Sequence, residues 1–211
     1  VTGGSGFIGT HLIRALRECG VREVVNIHRG NKAIDHMAGI VDVVCDLSLP
    51  ESKERVRDLG DIDYVFNLAG FTDQRMPHPN PHELIRANVV TLSNLTQGLN
   101  WSAVKSAVHV GTAAEYGTQE VPFCEDMAVE PTNAYGWSKV AASMYAVMMT
   151  RGGFAQWRVV RQFTGYGPGH TAGFVYDVTR ALKRGDNFVV NPASVTRDVI
   201  FVGDTVEGML R

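Results

Sequence analysis

The stretch VTGGSGFIGTHLIRAL, residues 1–16, decides the fold. It joins the end of a strand to a helix, and it places Gly3, Gly6 and Gly9 three residues apart. Glycine permits the tight turn, lets the backbone approach a pyrophosphate and lets the helix pack on the strand. The N–H groups and dipole of the helix N-terminus favour an anion there. The pattern predicts a dinucleotide site, and the alternative is a tight turn without a ligand. A P-loop is not expected, because Thr-His follows the last glycine where Lys-Ser or Lys-Thr is required.

The rest of the chain alternates short β-branched runs with longer helical patterns, which predicts an α/β fold with a doubly wound, Rossmann-like parallel sheet. The runs are apolar almost throughout, as in parallel strands that are covered on both faces. Strands are expected at 23–28, 40–46, 63–69, 104–111 and 157–163, and helices at 7–19, 51–59, 81–99, 134–151 and 172–184. A first strand is expected mostly before Val1, and both ends of the chain are expected to be truncated.

Length and composition limit the choice of protein class. The 211 residues allow one full core and a small extra lobe. We expect a dinucleotide-binding domain over 1–164 and the start of a truncated substrate-binding lobe over 165–211. A net charge of −2 gives no sign of a nucleic-acid or membrane partner. Three scattered cysteines without metal-ligand spacing are typical of reduced thiols in a cytoplasmic protein that binds no metal.

The residues after the strand at 23–28 bear on the identity of the dinucleotide. An acidic side chain usually follows this strand and binds the ribose 2′-hydroxyl. Here His28 takes that place, Arg29 follows and no carboxylate is available, so the sequence favours NADP(H) over NAD(H). The alternative is that Arg29 and Lys32 are solvated loop charges. Asp46, after the next strand, is placed either to meet the adenine edge or to cap a loop.

The stretch PTNAYGWSK, residues 131–139, places Tyr135 one helical turn before Lys139, with Thr132 or Asn133 as the helix cap. A free tyrosine has a pKa near ~10, which is too high for a base at neutral pH. An adjacent ammonium group, the helix dipole and an oxidised nicotinamide ring all favour the phenolate, so a lowered Tyr135 pKa is expected. The alternative is an ordinary pair of side chains on a buried helix.

Seven motifs occur in order along the chain: TGGSGFIG, CDL, NLAG, GTAAEYG, AYGWSK, RQFTGYGPG and TRDVIFVGD. With them, essentially the whole chain resembles the extended short-chain dehydrogenase/reductase family, in its sugar-nucleotide epimerase/dehydratase branch. The resemblance implies an NAD(P) cofactor, a nucleotide-sugar substrate and hydride transfer by a 4-epimerase or a 4-keto reductase. It also implies a homodimer through a bundle of the helices near 81–99 and 134–151.

The resemblance also assigns roles to individual positions. Catalysis is implied for Thr112, Tyr135 and Lys139. Cofactor contacts are implied for Gly3, Gly6, Phe7, Ile8, Gly9, His28, Arg29, Asp46, Leu47, Leu68, Ala69, Gly70 and Asn88, and for Tyr135 and Lys139. Substrate contacts are implied for Arg197, which would bind the pyrophosphate, and for Thr164, which replaces the asparagine that is usual in the family.

Other side chains near these motifs limit the chemistry. Ala113 and Ala114 stand where dehydrating relatives carry an Asp-Glu pair, so a 4,6-dehydratase is not expected. Glu115 and Glu125 are expected to be structural, one on a loop edge and the other in a solvated turn. His109, in an apolar strand, is expected to be a core histidine.

Two alternatives keep the dinucleotide site and change the function. One is a reductase of a lipid, steroid or flavonoid carbonyl, and Arg197 argues against it because an apolar substrate has no pyrophosphate. The other is a non-catalytic NADP(H) sensor or scaffold. Relatives of that kind commonly lose the tyrosine or the lysine, whereas Tyr135 and Lys139 are both present here.

Overall fold

The computed structural model describes residues 1–30, 37–190 and 196–211, so Lys32 lies outside the described residues. The chain divides into two compact units, Val1–Gln162 and Phe163–Arg211. The first unit contains α1 (Phe7–Glu18), β1 (Val24–His28), β2 (Ile40–Val44), α2 (Ser52–Arg57), β3 (Tyr64–Asn67), α3 (Pro81–Ile85), α4 (Thr91–Gly98), β4 (Ser106–Thr112), α5 (Ala134–Arg151) and β5 (Trp157–Gln162). A π-helical turn (Arg86–Val90) joins α3 to α4, and a 3₁₀ turn (Ala113–Glu115) follows β4.

The sheet of the first unit is parallel, and its strand order reverses at the segment that begins the chain. β1 pairs with β2, and β3 pairs with β4, which in turn pairs with β5, all in parallel. Thr2 forms parallel bridges to both Ile27 and Asn67, so it lies between β1 and β3. The order across the sheet is therefore β2, β1, the segment at Thr2, β3, β4 and β5. With right-handed crossovers, this order puts helices on both faces. The predicted doubly wound parallel sheet is confirmed.

Helix α5 has the bounds that its sequence pattern predicts. Asn133 is its cap, since the Asn133 side chain accepts a hydrogen bond from the Gly136 N–H at 2.7 Å. The small residues Ala142 and Ala146 are fully buried and let the helix pack closely on β4 and β5. The core around them also includes Ile27, Leu47, Val56, Val65, Leu92, Leu95, Val104, Ala107, Ala155 and Trp157.

The helix expected at 81–99 is present over 81–98, with the π-helical turn in its middle, which the sequence analysis does not predict. The turn places the buried Asn88 between two other segments. Its Oδ1 accepts from the Phe71 N–H at 2.9 Å, and its Nδ2 donates to Ser138 Oγ at 2.8 Å. Single π-helical turns often occur at functional sites. Here the turn connects α5 to the loop that follows β3.

The second unit is smaller and less buried. Its strands β6 (Thr164–Tyr166) and β7 (Val199–Phe201) pair in parallel. Helix α6 (Phe174–Arg184) has no buried residue, whereas α7 (Val202–Leu210) buries Val202, Thr205, Val206 and Met209. The sequence analysis does not predict β6 or β7, because three-residue strands leave no periodic pattern. Across the described residues of both units, no helix has the length and apolar character needed to cross a membrane.

Candidate active site

The glycine-rich loop before α1 lies so close to other backbone segments that side chains do not fit. A Cβ added at Gly3, where φ is +68°, would lie 2.8 Å from the Ala69 nitrogen. A Cβ at Gly9 would lie 2.4 Å from the Gly3 carbonyl oxygen. Gly6 precedes α1, whose first turn contains no acidic residue. The N-terminus of α1 is therefore shaped for a close anion.

A cavity of about 390 Å³ opens beside this loop, where the carboxyl ends of β1, β2 and β3 meet. Nine of the predicted cofactor contacts line it: Gly3, Gly6, His28, Arg29, Asp46, Leu47, Leu68, Ala69 and Gly70. Ser5, Phe71 and Arg86 also line it and were not singled out by the sequence analysis. The size of the cavity and its mixed lining suit a small organic ligand. Together with the side-chain-free loop, they fit the adenosine and pyrophosphate end of a dinucleotide.

The remaining predicted contacts, which are Phe7, Ile8, Gly9, Asn88, Tyr135 and Lys139, are not among the described residues that line this cavity. Phe7, Ile8 and Gly9 form the first turn of α1. Asn88 lies behind the cavity wall, because a Cβ added at Gly70 would meet Asn88 Oδ1 at 2.6 Å. The same Cβ would lie 4.0 Å from the Nζ of Lys139. Gly70 thus lies between the cavity and Lys139.

His28 has a carboxylate neighbour that the sequence analysis missed. Its Nδ1 accepts from the Gly30 N–H at 3.0 Å, and its Nε2 lies 3.6 Å from Asp42 Oδ1. Asp42 also accepts a hydrogen bond from Asn26 at 2.7 Å. Asp42 is not among the described residues that line the cavity, so this contact does not overturn the expectation that no carboxylate follows β1. Asp42 belongs to β2 and reaches His28 only through strand pairing, while Arg29 is exposed and lines the cavity.

Asp46 has both of the features that the sequence left open. Its Oδ1 accepts from the Ser48 N–H at 2.9 Å, which is the loop-capping contact, and its side chain also lines the cavity. Burial acts to raise the pKa of Asp46. The Ser48 hydrogen bonds and the charges of Arg29 and Arg86 outweigh that effect and hold this pKa below its ordinary value. The carboxylate is therefore ionised at neutral pH.

Thr112, Tyr135 and Lys139 come together at the end of β4 and the start of α5. Tyr135 and Lys139 are each 6% exposed. Thr112 Oγ1 accepts from the Ala114 N–H at 3.3 Å, so Thr112 also caps the 3₁₀ turn. The Thr112 side chain also hydrogen-bonds Tyr135, an interaction that lowers the Tyr135 pKa. The Lys139 ammonium group donates to the Val110 carbonyl oxygen.

The protein's own groups raise the pKa of Tyr135, so the expectation of a lowered Tyr135 pKa is wrong. Burial raises the pKa of Tyr135; the Thr112 hydrogen bond acts against it, and the Glu115 charge adds to it. The physical reason is that removing a phenolate from water costs more than one hydrogen bond returns. Tyr135 is therefore protonated at neutral pH.

Lys139 is affected by burial in the opposite sense. Burial lowers the pKa of Lys139 to about 8, although the Glu115 charge acts to raise it. His109 lies nearby in the core, where burial and the Lys139 charge hold its pKa well below the ordinary value. The His109 Nδ1 accepts from Asn67 Nδ2 at 3.0 Å. His109 is neutral, and Lys139 lies one helical turn from Tyr135 on α5, although its charge is not among the effects on the Tyr135 pKa.

Glu115 is buried and ion-paired, so the prediction of a loop-edge position is wrong. Its side chain is 1% exposed and lies 3.0 Å from the Nε of Arg161. It also accepts from the Thr112 N–H at 2.9 Å and from Ser143 Oγ at 3.0 Å. The predicted structural role agrees with these contacts. Because both of its oxygens accept hydrogen bonds from these groups, Glu115 does not supply the acid or base that is missing at Ala113 and Ala114.

Fold and site together define a Rossmann-type, dinucleotide-binding α/β protein with a buried Tyr-Lys pair. A sequence model described as the NAD dependent epimerase/dehydratase family matches residues 1–211. The chain therefore belongs to this family, which confirms the resemblance that the motifs indicate.

Individual relatives agree with this membership. The chain is 28% identical over 223 residues to UDP-N-acetyl-alpha-D-glucosaminuronate decarboxylase of Bacillus cytotoxicus, covering all of this chain and 69% of the relative. It is 26% identical over 236 residues to UDP-glucuronate 4-epimerase 1 of Arabidopsis thaliana, covering all of this chain and 53% of the relative. The structure of MoeE5 in complex with UDP-glucuronic acid and NAD superposes with a TM-score of 0.85 at 28% identity. That superposition covers 99% of this chain and 69% of MoeE5.

We expect Lys139→Met to stabilise the fold. The fold lowers the lysine pKa from 10.5 to about 8, so the unfolded chain binds this proton more tightly. The wild-type free energy of unfolding should therefore rise with pH between about 8 and 10.5. At neutral pH the variant should gain about 2 kcal/mol, after allowance for the lost hydrogen bond to Val110.

Urea unfolding of both proteins across this pH range measures the effect. The gain should disappear near pH 10.5, where the unfolded lysine also loses its proton. Lys105→Met, at an exposed lysine, is the control and should change stability little. A variant that is no more stable than wild type at neutral pH would contradict the lowered pKa.

Proposed function

We propose that the chain is the dinucleotide-binding part of an NAD(P)-dependent enzyme that acts on a nucleotide-activated sugar, as a 4-epimerase or a 4-keto reductase. The observation that carries the proposal is the burial of Thr112, Tyr135 and Lys139 together, with Lys139 next to the cavity wall at Gly70. The names of the relatives support a UDP-sugar substrate. Because the chain spans only 69% and 53% of their lengths, the activity is proposed for the whole enzyme.

The proposed mechanism assigns each side chain a distinct task. The loop at Gly3 and Gly6 would bind a pyrophosphate, and the nicotinamide of a bound cofactor would supply or accept the hydride. Tyr135 donates its proton to a keto oxygen that is being reduced and takes the proton back from a hydroxyl that is being oxidised. Thr112 hydrogen-bonds the same oxygen. Lys139 stabilises the phenolate that remains after proton donation.

The proposal limits the reaction to proton and hydride exchange at one carbon. A dehydration requires an additional acid and base near the sugar. Ala113 and Ala114 supply neither, and the buried Glu115 carboxylate is bound by Arg161 and Ser143. Substrate contacts by Thr164 and Arg197 stay predictions from the resemblance.

Tyr135→Phe should lower turnover by about 10²- to 10⁴-fold, because the proton donor is lost. Dinucleotide affinity should change little, since the pyrophosphate loop is untouched. Turnover is measured with the full-length enzyme on a panel of sugar nucleotides that includes UDP-hexoses and UDP-hexuronic acids, with product identification. Tyr145→Phe, on the same helix, is the matched control and should keep full activity.

The same assays separate the competing functions. Net loss of NADPH absorbance during turnover indicates a reductase, and an epimerised product without net change indicates an epimerase. Substantial activity in Tyr135→Phe would contradict the catalytic assignment. Dinucleotide binding without turnover on any sugar nucleotide would instead favour the sensor or the non-sugar reductase.

We further propose that the cofactor is NADP(H) rather than NAD(H). The exposed Arg29 lines the cavity at the end of β1, with Arg86 on the same cavity, and a guanidinium group suits a ribose 2′-phosphate. Two features work against this preference: Asp42 contacts His28, and MoeE5 is a structural neighbour whose complex contains NAD. Measured affinities therefore decide the identity of the cofactor.

Arg29→Leu should weaken NADP⁺ binding by about tenfold and leave NAD⁺ binding nearly unchanged, because only NADP⁺ carries the 2′-phosphate. Isothermal titration calorimetry with both dinucleotides measures the two affinities. Arg14→Leu, at an exposed arginine of α1, is the control. Tighter binding of NAD⁺ than of NADP⁺ by the wild-type protein would refute the preference.

A homodimer through α5 is the third part of the proposal. Met144 is 64% exposed and Met148 is 58% exposed, and Trp137 and Val147 on the same helix are also exposed. Apolar side chains of this size are common at interfaces between subunits. Met144→Glu combined with Met148→Glu should convert a dimer to a monomer in light scattering. Leu182→Glu on α6 is the control, and a monomeric wild-type full-length protein would contradict the proposal.

A further inference from the structure

Glu115 is a buried carboxylate that contacts the proposed catalytic group and has no role in the mechanism above. Its Oε1 accepts from the Thr112 N–H at 2.9 Å and from Ser143 Oγ at 3.0 Å. Its Oε2 accepts from Arg161 Nε at 3.0 Å. One side chain therefore connects the end of β4, the middle of α5 and β5. These are the elements that determine where Thr112 lies relative to Tyr135.

Arg161 is itself held on the side away from Glu115. Its Nη1 donates to the Tyr116 hydroxyl at 3.0 Å and to the Glu125 carbonyl oxygen at 3.2 Å. The guanidinium carbon lies 4.7 Å from the centre of the Tyr116 ring, within cation–π range. These contacts restrict the guanidinium group to the geometry that meets Glu115.

On its other side, the Glu115 carboxylate is confined by the backbone of β4 at Gly111. A Cβ added at Gly111 would lie 2.5 Å from Glu115 Oε1 and 3.3 Å from Ser143 Oγ. Strand β4 therefore approaches the carboxylate as closely as only glycine allows. A buried carboxylate with three donors in fixed positions is both charged and immobile.

We propose that Glu115, held by Arg161, is a positioning residue of the proton-transfer group: it fixes the Thr112 backbone and is the buried negative charge that balances Lys139. The proposal rests on the function proposed above for Thr112, Tyr135 and Lys139. Without Glu115, the buried ammonium group of Lys139 and the half-buried guanidinium group of Arg161 would lose the carboxylate whose charge acts on both.

The charges around Tyr135 and Lys139 come from several elements. Glu115 on the 3₁₀ turn acts to raise the pKa of both groups. His109 on β4 stays neutral, because burial and Lys139 lower its pKa, and Arg161 on β5 is always charged. The π-helical turn contributes Asn88, which does not titrate. Neutralising Glu115 should therefore lower the pKa of Tyr135 and of Lys139 together.

The test is Glu115→Gln in the full-length protein. The phenolate absorbance of Tyr135, isolated by subtracting the titration of Tyr135→Phe, should shift to lower pH by about one unit. The basic limb of the kcat profile should shift in the same direction, and kcat at its optimum should fall by up to about 100-fold. Glu115→Asp, which keeps the charge, should restore most of the titration. Glu125→Gln, at an exposed neighbour, should leave both readouts unchanged.

A loss of stability or kcat without a shift of the Tyr135 titration would overturn the inference, because a purely structural residue would have that effect. If Glu115→Gln does not fold, Glu115→Gln with Arg161→Gln removes the buried carboxylate together with its ion-pair partner. The double variant should then titrate at lower pH than Arg161→Gln alone, and an equal titration would refute the proposal. The titration needs no substrate, so it decides this inference even if every sugar nucleotide fails and the proposed function is wrong.

Discussion

The structure depends first on the close approach of the Gly3 backbone to the end of β3. The Thr2 hydroxyl donates to Asn67 Oδ1 at 2.6 Å and accepts from the Ala69 N–H at 3.1 Å. Thr2 also forms backbone bridges to β1 on one side and β3 on the other. The start of the chain thus joins the two halves of the sheet at the point where its strand order reverses. In open α/β sheets a crevice forms at the carboxyl ends of the strands at this point, and the cavity lies there.

A second constraint is that the groups proposed for catalysis are charged or polar and buried. Lys139 has a pKa of about 8 because it has left water, and Tyr135 has a raised pKa for the same reason. Such groups destabilise a fold unless other groups hold and pair them. Here the Val110 carbonyl, the Thr112 side chain and the Glu115 carboxylate do so. The site is consequently a place where stability and activity conflict.

Much of this arrangement follows from local sequence patterns, and the rest depends on contacts between distant residues. The glycine loop and α5 were predictable, since one has a fixed spacing and the other has a cap and a continuous helical pattern. The π-helical turn was not, because Asn88 finds its partners 17 and 50 residues away. Glu115 was misplaced because its partner Arg161 lies 46 residues further on. The Asp42–His28 contact requires the register of β1 and β2.

The position of the Glu115 side chain in the 3₁₀ turn also limits the chemistry. From the sequence, the carboxylate of Glu115, directly after Ala113 and Ala114, is expected to be structural. The structure turns this carboxylate inward, where the Thr112 N–H, Ser143 and Arg161 bind it. A group that is held by three donors and is 1% exposed has no access to a substrate proton. In the function proposed above, proton exchange is therefore left to Tyr135.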